Sequence, residues 1–411
     1  MNWPFLTDPG LKLSGQFKSK PEDFIVEEIP LYLPVGSGEH LYLFIEKIGI
    51  TTDQLIQRVM KHLQISIKRI GYAGKKDKIG ITRQWISISN VKKAEVEKLQ
   101  VPGIKIIKME FHKNKLRLGH LHGNRFQIII RNVPGNSETI TITILTRLAT
   151  IGIPNYFGHQ RFGMHGDNAL IGSAILQSNW KEAFLLILGI NSPIEKDNCF
   201  PDDMLHKMMN SNISNNSRSA AQVLLKYKGN LEEAGKRMPK HITLFYLNAL
   251  QSYWFNASLV RRLPDINKIW RGDLAYLHKN GAVFKVEDES AEQRRVDKFE
   301  ISPSGPLWGH KMILPNEREL LLEKEVLKEM GVEPVQLNHS MQRLRLEGQR
   351  RSYRVPLMNY SFKQENTDLF LKFDLPSGSY ATSVVRELMK DNFPEIEIIK
   401  PKFESKTMEI A

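Results

Sequence analysis

The chain has 411 residues, of which 41% are hydrophobic, so it is long and apolar enough for two or three domains with buried cores, and these values exclude a disordered chain. Lysine and arginine total 58 against 45 acids, and the resulting net charge of +13 favours a polyanionic partner such as nucleic acid or an anionic membrane. The single cysteine, Cys199, excludes an internal disulfide and a cysteine-rich zinc site, and it fits a reducing cytosol.

No stretch of the sequence has the pattern of a targeting or membrane-spanning segment. The N-terminal "MNWPFLTDPGLKLSG" lacks the basic and then apolar regions of a signal peptide. The longest apolar run, "AFLLIL" near residue 185, is far too short to cross a bilayer. We therefore expect a soluble cytoplasmic protein with no membrane partner.

The first 150 residues alternate between short strands and helices. "FIVEEI" and "HLYLFIEKI" predict strands, as do "RQWISIS", "IKIIKMEFH" and "NRFQIIIRNV". Between them, "TTDQLIQRVMKHL" predicts a helix with Thr51 or Thr52 as its N-cap. Its apolar residues fall on one helical face: Leu55, Ile56, Val59, Met60 and Leu63.

From about residue 155 the patterns become mainly helical, as in "NALIGSAILQ", "WKEAFLLIL" and "ERELLLEKEVLKEM", with Asn- and Ser-rich loops such as "NSNISNNSRS" between them. One hairpin is predicted around Asn280-Gly281. Strand patterns return after about residue 355 with "DLFLKFDLP", followed by a Gly-Ser turn that opens a helix. The sequence therefore predicts a strand-rich domain, residues 1–154 plus 355–411, interrupted by an insert at 155–354.

Several common catalytic motifs are absent. The sequence contains no phosphate-binding P-loop, no dinucleotide fingerprint and no nucleophile elbow. His120 and His122 are spaced to share one face of a strand, but no third metal ligand is suggested nearby, and a structural role is favoured. We therefore predict neither a cofactor nor a metal, which leaves chemistry that a carboxylate performs alone.

One carboxylate stands out in "AGKKDKIG", residues 73–80, a loop predicted between two strands. Asp77 is surrounded by Lys75, Lys76 and Lys78, and these cations are expected to keep its pKa low. The simpler interpretation is a solvated surface turn, because Gly, Asp and Lys favour turns for ordinary reasons. The alternative is an ionised carboxylate held on a tight turn for catalysis.

Three segments mix basic and aromatic residues, "KHLQISIKRIGYAGKKDK", "FHKNKLRLGHLHGNRF" and "RLRLEGQRRSYR". Cations bind phosphates and aromatic rings stack on unstacked bases, so the mixture fits an RNA partner. Each segment alone is equally consistent with a solvated basic face. Together with the net charge, the three favour RNA.

Five segments of the sequence resemble a known family. "GYAGKKDKIGITRQWIS" is similar to the active-site segment of the TruD family of tRNA pseudouridine synthases, with Gly80 where alanine is usual. Four other segments match in the family order: "PEDFIVEEIP" with "GSGEHLYLFIEKIGITT", "KLRLGHLHGNRFQIIIR", "PNYFGHQRFG" and "LPSGSYATSVVREL". The middle of the chain looks longer than in compact bacterial members.

The resemblance implies roles for individual residues. Asp77 would be the catalytic aspartate. The residues implied to bind the target uridine are Phe24, Asn124, Phe126 and Tyr380, the last standing where phenylalanine is often found. Residues expected to support the site are Lys76, Lys78 and Arg161. From the sequence pattern itself, Arg350, Arg351 and Arg354 at the exit of the insert are expected to form a basic strip with Arg161 that contacts phosphates. The alternative is that these arginines pair with acids such as Glu347 and steady the domain junction.

The fold implied by the resemblance is α+β: a pseudouridine synthase catalytic domain with a mixed, largely antiparallel sheet and flanking helices, interrupted by a helix-rich α/β insert, the TRUD domain, that contributes to tRNA binding. The implied substrate is uridine 13 in the D arm of certain tRNAs, and no protein partner is implied. The isomerisation needs neither electrons nor ATP, in agreement with the absent motifs. The alternatives are a catalytically inactive RNA-binding protein that assists tRNA folding, and a ribosome-associated structural protein.

Overall fold

A computed structural model describes residues 3–99, 101–190, 200–394 and 396–403, so Cys199 lies outside the described residues. The chain divides into two compact units. The first consists of Thr7–Ile153 and Val355–Phe393, and the second contains Pro154–Arg354. The described residues before Thr7 and after Phe393 group with the second unit, whereas both ends of the chain were predicted to belong to the strand-rich domain.

Up to Ile153 the chain alternates strands and helices as expected. Its strands are β1 (Gln16–Phe17), β2 (Phe24–Pro30), β3 (His40–Ile48), β4 (Ile70–Tyr72), β5 (Ile81–Ser89), β6 (Ile104–His112) and β7 (Leu121–Arg131). Its helices are α1 (Thr52–Leu63), α2 (Lys93–Glu97) and α3 (Ser137–Ile151).

The middle of the chain is mainly helical. Its helices are α4 (Asn168–Leu176), α5 (Trp180–Leu188), α6 (Asp202–Met209), α7 (Asn215–Lys226), α8 (Leu231–Lys236), α9 (Lys240–Arg262), α10 (Glu289–Asp297), α11 (Glu317–Glu329) and α12 (Pro334–Leu344). The strands here and at its two ends are β8 (Ile153–Pro154), β9 (Leu274–Leu277), β10 (Val283–Lys285), β11 (Ile301–Leu307), β12 (Gln349–Ser352) and β13 (Arg354–Val355). The hairpin predicted around Asn280-Gly281 is confirmed, because β9 and β10 pair antiparallel across it.

The chain then returns to the first unit with β14 (Met358–Glu365), β15 (Asp368–Pro376) and α13 (Ala381–Met389). The large sheet runs β14-β15-β7-β2-β5-β3-β6, with β1 also on β7 and β4 also on β5. The β2–β5 pair is parallel and the other described pairs are antiparallel. The expected mixed, largely antiparallel sheet with flanking helices is confirmed, and β15 pairs with β7 although the insert separates them in sequence.

Helix α1 covers one side of this sheet. Thr51 is its N-cap, with its hydroxyl accepting from the Gln54 amide at 3.2 Å while the Gln54 side chain accepts from the Thr51 amide. The predicted apolar face is confirmed, since Leu55, Ile56 and Val59 are buried against strand residues of the core. The cap therefore fixes where the chain turns from β3 into the helix.

The arginine strip expected at residues 350–354 is wrong. Arg350 is buried and donates to the Glu323 carboxylate at 2.6 Å, and Arg354 is buried beside Ser302. Arg351 is half-buried and donates to the Asn155 side chain at 2.5 Å. Within the second unit these side chains are occupied by internal partners, and they do not form a phosphate-binding strip.

The Asn- and Ser-rich stretch expected to be a loop is partly helical, because Ser214 caps α7 and the following residues form its first turn. None of the described helices combines the length and apolar character that crossing a membrane requires.

Candidate active site

One face of the large sheet carries three of the predicted site residues. Val26 on β2 lies opposite Phe126 on β7, and Glu28 lies opposite Asn124. Because side chains two residues apart on a strand point to the same face, Phe24 lies on the same side as Phe126 and Asn124. Pairing of β2 with β7 thus brings together residues that are about a hundred positions apart.

The aromatic rings on this face form a continuous cluster. The ring centroids of Phe24 and Phe126 are 6.2 Å apart, and those of Phe126 and Phe373 are 5.6 Å apart. Phe17 packs edge-on against Phe24 at 5.8 Å, and the Lys18 ammonium lies 4.1 Å from the Phe24 ring centroid. Phe24 is only 9% exposed and Phe126 only 5%, so both rings are part of the core as well as of this face.

The loop at residues 73–80 connects β4 to β5, as predicted, and closely approaches the start of β2. Gly80 has φ +93°, and a Cβ at this position would lie 2.2 Å from the Phe24 carbonyl oxygen. Both features favour glycine here, and a side chain at this position would require the Phe24 carbonyl group to shift. The side chain of Asp77, three residues earlier, is exposed, whereas Lys76 and Gly80 are buried.

A buried ammonium group anchors the backbone of this loop. Lys47 on β3 is 1% exposed and donates to the carbonyl oxygens of Ile50 at 2.6 Å and Asp77 at 2.9 Å. The Thr52 hydroxyl accepts from the Lys76 amide at 2.8 Å and donates to the Gln84 side chain. The Thr52 amide also donates to the Lys76 carbonyl oxygen at 3.2 Å, so the peptide units on both sides of the Asp77 Cα atom are held by hydrogen bonds.

Two of the three lysines next to Asp77 form ion pairs with other acids. Lys75 forms an ion pair with Asp53 at 2.9 Å, and Lys76 forms a buried pair with Glu28 at 3.2 Å. Lys78 follows Asp77 with an exposed side chain. The ammonium groups of Lys75 and Lys76 are thus each held by an acid distant in sequence, and the expected influence of these lysines on Asp77 stays a prediction.

Two other lysines lie in the electrostatic field of Asp77. Burial lowers the pKa of Lys18, and the nearby Asp77 carboxylate partly opposes that shift. Burial also lowers the pKa of Lys47 to about 8, again with Asp77 acting in the opposite direction and Lys76 adding to the decrease. The positive charge near Asp77 thus includes side chains from outside its own loop.

Asn124 and Tyr380 lie toward the same end of the sheet. Asn124 pairs with Leu375 near the end of β15, and Tyr380 follows five residues later at the start of α13, half-buried. The Asn124 Oδ1 atom is buried and finds no hydrogen-bond partner among the described residues. A buried acceptor without a partner is costly, so it is a natural place for a donor on a bound molecule.

Arg161 belongs to the second unit. It lies in the short helical turn His159–Phe162, donates to the Ser252 hydroxyl at 3.0 Å and has its guanidinium 5.4 Å from the Phe157 ring centroid. Its expected supporting role remains a prediction.

Lys18, Glu28 and Lys47 were not among the site residues predicted from the sequence. For Lys47 a signal existed: Leu41, Leu43 and Ile45 set an inward period of two on β3, and a lysine occupies the next inward position. A charged residue at an inward strand position needs a specific partner. Glu28 continues the inward positions of β2 in the same way.

A metal site is not indicated by the described residues, among which no three His, Cys, Asp or Glu side chains are arranged to hold an ion. His120, considered above as a ligand, has its Nδ1 atom 2.7 Å from the Tyr32 hydroxyl.

Comparison with known proteins identifies close relatives over almost the full length. The sequence profile described as "tRNA pseudouridine synthase D (TruD)" matches residues 5–388. A protein named tRNA pseudouridine synthase D from Geobacter sulfurreducens is 42% identical over 384 residues, covering 92% of this chain and 94% of that protein. A protein of the same name from Thermus thermophilus is 35% identical over 395 residues, covering 94% of this chain and 92% of that protein.

A crystal structure assigned to tRNA pseudouridine synthase D from Methanosarcina mazei is similar in fold. The TM-score is 0.76 at 27% identity, with 94% of this chain and 96% of that chain covered. The resemblance inferred from five sequence segments is thereby confirmed.

Proposed function

This chain belongs to the TruD family of tRNA pseudouridine synthases, and on that premise we propose that it isomerises a uridine of tRNA to pseudouridine with Asp77 as the catalytic carboxylate. The target we propose is uridine 13 in the D arm, and the compartment that goes with this substrate is the cytoplasm. One observation carries the assignment of Asp77: its side chain is exposed on a loop whose backbone is anchored by buried side chains against the Phe24 strand.

The reaction sets two requirements, an ionised carboxylate at the ribose and a firm hold on the detached base. The N1–C1′ bond breaks, the uracil turns while still bound, and C5 bonds to C1′, so no atom is gained or lost. A carboxylate must reach the ribose, either to attack C1′ or to remove the C2′ proton, and both steps need the ionised form. The ammonium groups of Lys18 and Lys47 supply positive charge near Asp77, and the Asp77 carboxylate in turn opposes the lowering of both lysine pKa values by burial.

The base must also be held while it is detached. A uracil presents an N3–H donor, and the buried Asn124 Oδ1 is an acceptor that finds no partner in the described part of the chain. Enzymes that act on a base in RNA hold it by stacking and by hydrogen bonds to its edge. In our proposal the rims of Phe24 and Phe126, with Tyr380, form the aromatic side of the pocket. The second unit contributes further tRNA contacts.

The rival function is an RNA-binding protein without catalysis. It explains the net charge of +13 but gives no role to the anchored Asp77 carboxylate or to the unpaired Asn124 acceptor. The discriminating experiment incubates the protein with an unmodified tRNA transcript and maps pseudouridine by carbodiimide adducts and primer extension. The expected result is a single stop one nucleotide 3′ of position 13, which disappears when uridine 13 is replaced by cytidine. Tight binding of the transcript with no stop at any uridine would favour the rival.

A further inference from the structure

A basic cavity of about 610 Å³ lies in the first unit, between the loop that follows β2 and the loop that precedes β7. Its lining includes Tyr32, His40, His112, Lys115, Arg117 and His120. The lining contains imidazoles, cations and a phenol but, among the described residues, no aspartate or glutamate. This composition suits a hydrogen-bonding anion and is unsuited to a metal cation, which two permanent positive charges would repel.

The walls of the cavity are ordered by their own contacts. The Tyr32 ring stacks on the His112 ring with centroids 5.0 Å apart, and the Tyr32 hydroxyl lies 2.7 Å from His120 Nδ1. His112 is 8% exposed, and within the described residues its Nδ1 atom has no hydrogen-bond partner. Burial lowers the pKa of His112, with His40 and Lys113 adding to the effect, so the ring is a neutral hydrogen-bonding group at neutral pH.

Two cations that line the cavity, Lys115 and Arg117, have N–H groups left over for a bound anion. Lys115 donates to the Lys68 carbonyl oxygen at 2.6 Å, which accounts for one of the three N–H groups of its ammonium. Arg117 is exposed and makes no ion pair with any described residue. A guanidinium of this kind, beside a second cation, matches the fork geometry of a phosphate group.

The cavity borders the loop that carries Asp77. The Gly119 amide donates to the Ala73 carbonyl oxygen at 2.9 Å, and the Leu116 amide donates to the Ser87 hydroxyl at 3.0 Å. Ala73 is the first residue of the Asp77 loop, and it packs in one cluster with Leu116 and Leu121. The loop that lines the cavity is thus hydrogen-bonded to the beginning of the proposed catalytic loop.

We propose that this cavity binds a backbone phosphate of the tRNA strand that flanks the target uridine. The inference rests on the proposed function, because it requires that RNA lie over the Asp77 loop. Phosphate contacts fix the register of a nucleic acid on a protein without reading its sequence. A phosphate held at the cavity orients the strand before the target nucleotide turns toward Asp77. The exposed Leu31, Leu33 and Leu118 side chains on the same two loops offer apolar contact to the adjoining sugars and bases.

The test measures binding of an unmodified tRNA transcript to the full chain over a range of KCl concentrations. Arg117→Gln should weaken binding on the order of tenfold and reduce the log–log salt slope by about 0.7–0.9, the value for one phosphate. The matched control is Lys363→Gln, an exposed cation on β14 of the same unit that is already paired with Glu365 at 2.7 Å, and it should leave both quantities unchanged. His112→Gln, which keeps a donor at this position, should retain most of the affinity, whereas His112→Leu should lose as much as Arg117→Gln.

Phosphorothioate interference then locates the contact. Sulfur substitution at one or two positions near uridine 13 should impair binding to the wild-type chain and have no effect on Arg117→Gln. An unchanged slope for Arg117→Gln, or an interference pattern identical to that of the wild type, would overturn the proposal. A cavity that takes up inorganic phosphate at constant ionic strength, with no change in the tRNA slope, would be a free-anion site and would also overturn it. Binding of tRNA is measured independently of turnover. If the wild-type chain makes no pseudouridine, the proposed reaction is disproved, while the binding measurements still test the phosphate site.

Discussion

Replacing Lys47 by methionine tests whether a buried ammonium group holds the loop that carries Asp77. The substitution keeps the length of the side chain but removes the donor to the Ile50 and Asp77 carbonyl oxygens. Burial lowers the pKa of Lys47 from 10.5 to about 8, which makes its charged form about 3 kcal/mol less favourable in the folded chain than in water. Losing two short bonds to a charged donor costs about 3–6 kcal/mol. The two effects oppose each other, so the net loss of stability at neutral pH should be small, about 0–3 kcal/mol.

The effect on turnover should be much larger than the effect on stability. A loop that shifts by about 1 Å misplaces the carboxylate and costs about a hundredfold in rate. In the wild-type chain, Lys47 loses its proton as the pH rises through about 8, so the grip on the loop weakens and turnover should fall on the alkaline side. The pH–rate profile of Lys47→Met should lack this alkaline limb, the fall in turnover at high pH, because no titrating group remains at this position.

The same rise in pH that lowers turnover should increase the stability of the folded chain. Between the folded pKa of about 8 and the unfolded value of 10.5, the unfolded chain binds the proton more strongly, so wild-type stability rises with pH through this window. Relative to Lys47→Met, the wild type should gain about 2 kcal/mol between about pH 7 and 9.5. The assays are single-turnover pseudouridine formation and thermal melting, each across this range. A variant with the wild-type rate and the same alkaline limb would refute the anchoring role.

Three further predictions concern separate parts of the first and second units. Gly80→Ala should lower the melting temperature and turnover because its Cβ would lie 2.2 Å from a backbone oxygen, whereas Gly49→Ala, with φ +69° and open space around it, should show only the milder cost of its conformation. Phe24→Ala should lower turnover and also cost about 3–5 kcal/mol of stability, since the ring is largely buried, and equal turnover with a lower melting temperature would make it a core residue alone. Burial and the neighbouring Glu323 raise the pKa of Glu319, so its stabilising contribution is complete below the unfolded pKa of about 4.5 and is lost as the pH rises toward the folded value. Glu319→Gln should therefore match the wild-type melting temperature near about pH 5 and exceed it near about pH 8, and a lower melting temperature at both values would contradict the raised pKa.

Much of the sheet was predictable because its strands carry at least a partial alternation of apolar and polar residues. The predicted bounds of β3, β6 and β15 agree with the observed strands. Apolar residues recur at every second inward position in most of β3 and β15, whereas in β6 the alternation is interrupted at Ile107 and Lys108, where the pairing with β3 is irregular. Helix α3 was not predicted. Its "TITITIL" stretch alternates like a strand, yet Thr141, Ile144, Leu145 and Leu148 lie at helical spacing and are buried on one side. Burial of this side in the folded chain favours the helical period over the strand period in this segment.

The candidate site was predictable only in part. The resemblance located the Asp77 loop, but neither composition nor spacing could show that Lys76 pairs with Glu28, 48 positions earlier. The same limit applies to Arg350, whose partner Glu323 lies 27 positions away on α11. Long-range pairing converts residues that look like solvated charges into buried ion pairs, and only the fold specifies the partner.

The most direct test of the central claim is single-turnover pseudouridine formation by Asp77→Asn at saturating enzyme, with tRNA affinity measured in parallel. Asparagine keeps the size of the side chain but is neither a nucleophile nor a base, so the rate should fall to background while the affinity stays within a few-fold of the wild type. Asp203→Asn, an exposed aspartate on α6, is the matched control and should react at the wild-type rate. Substantial turnover by Asp77→Asn would contradict the account and remove this carboxylate from the reaction.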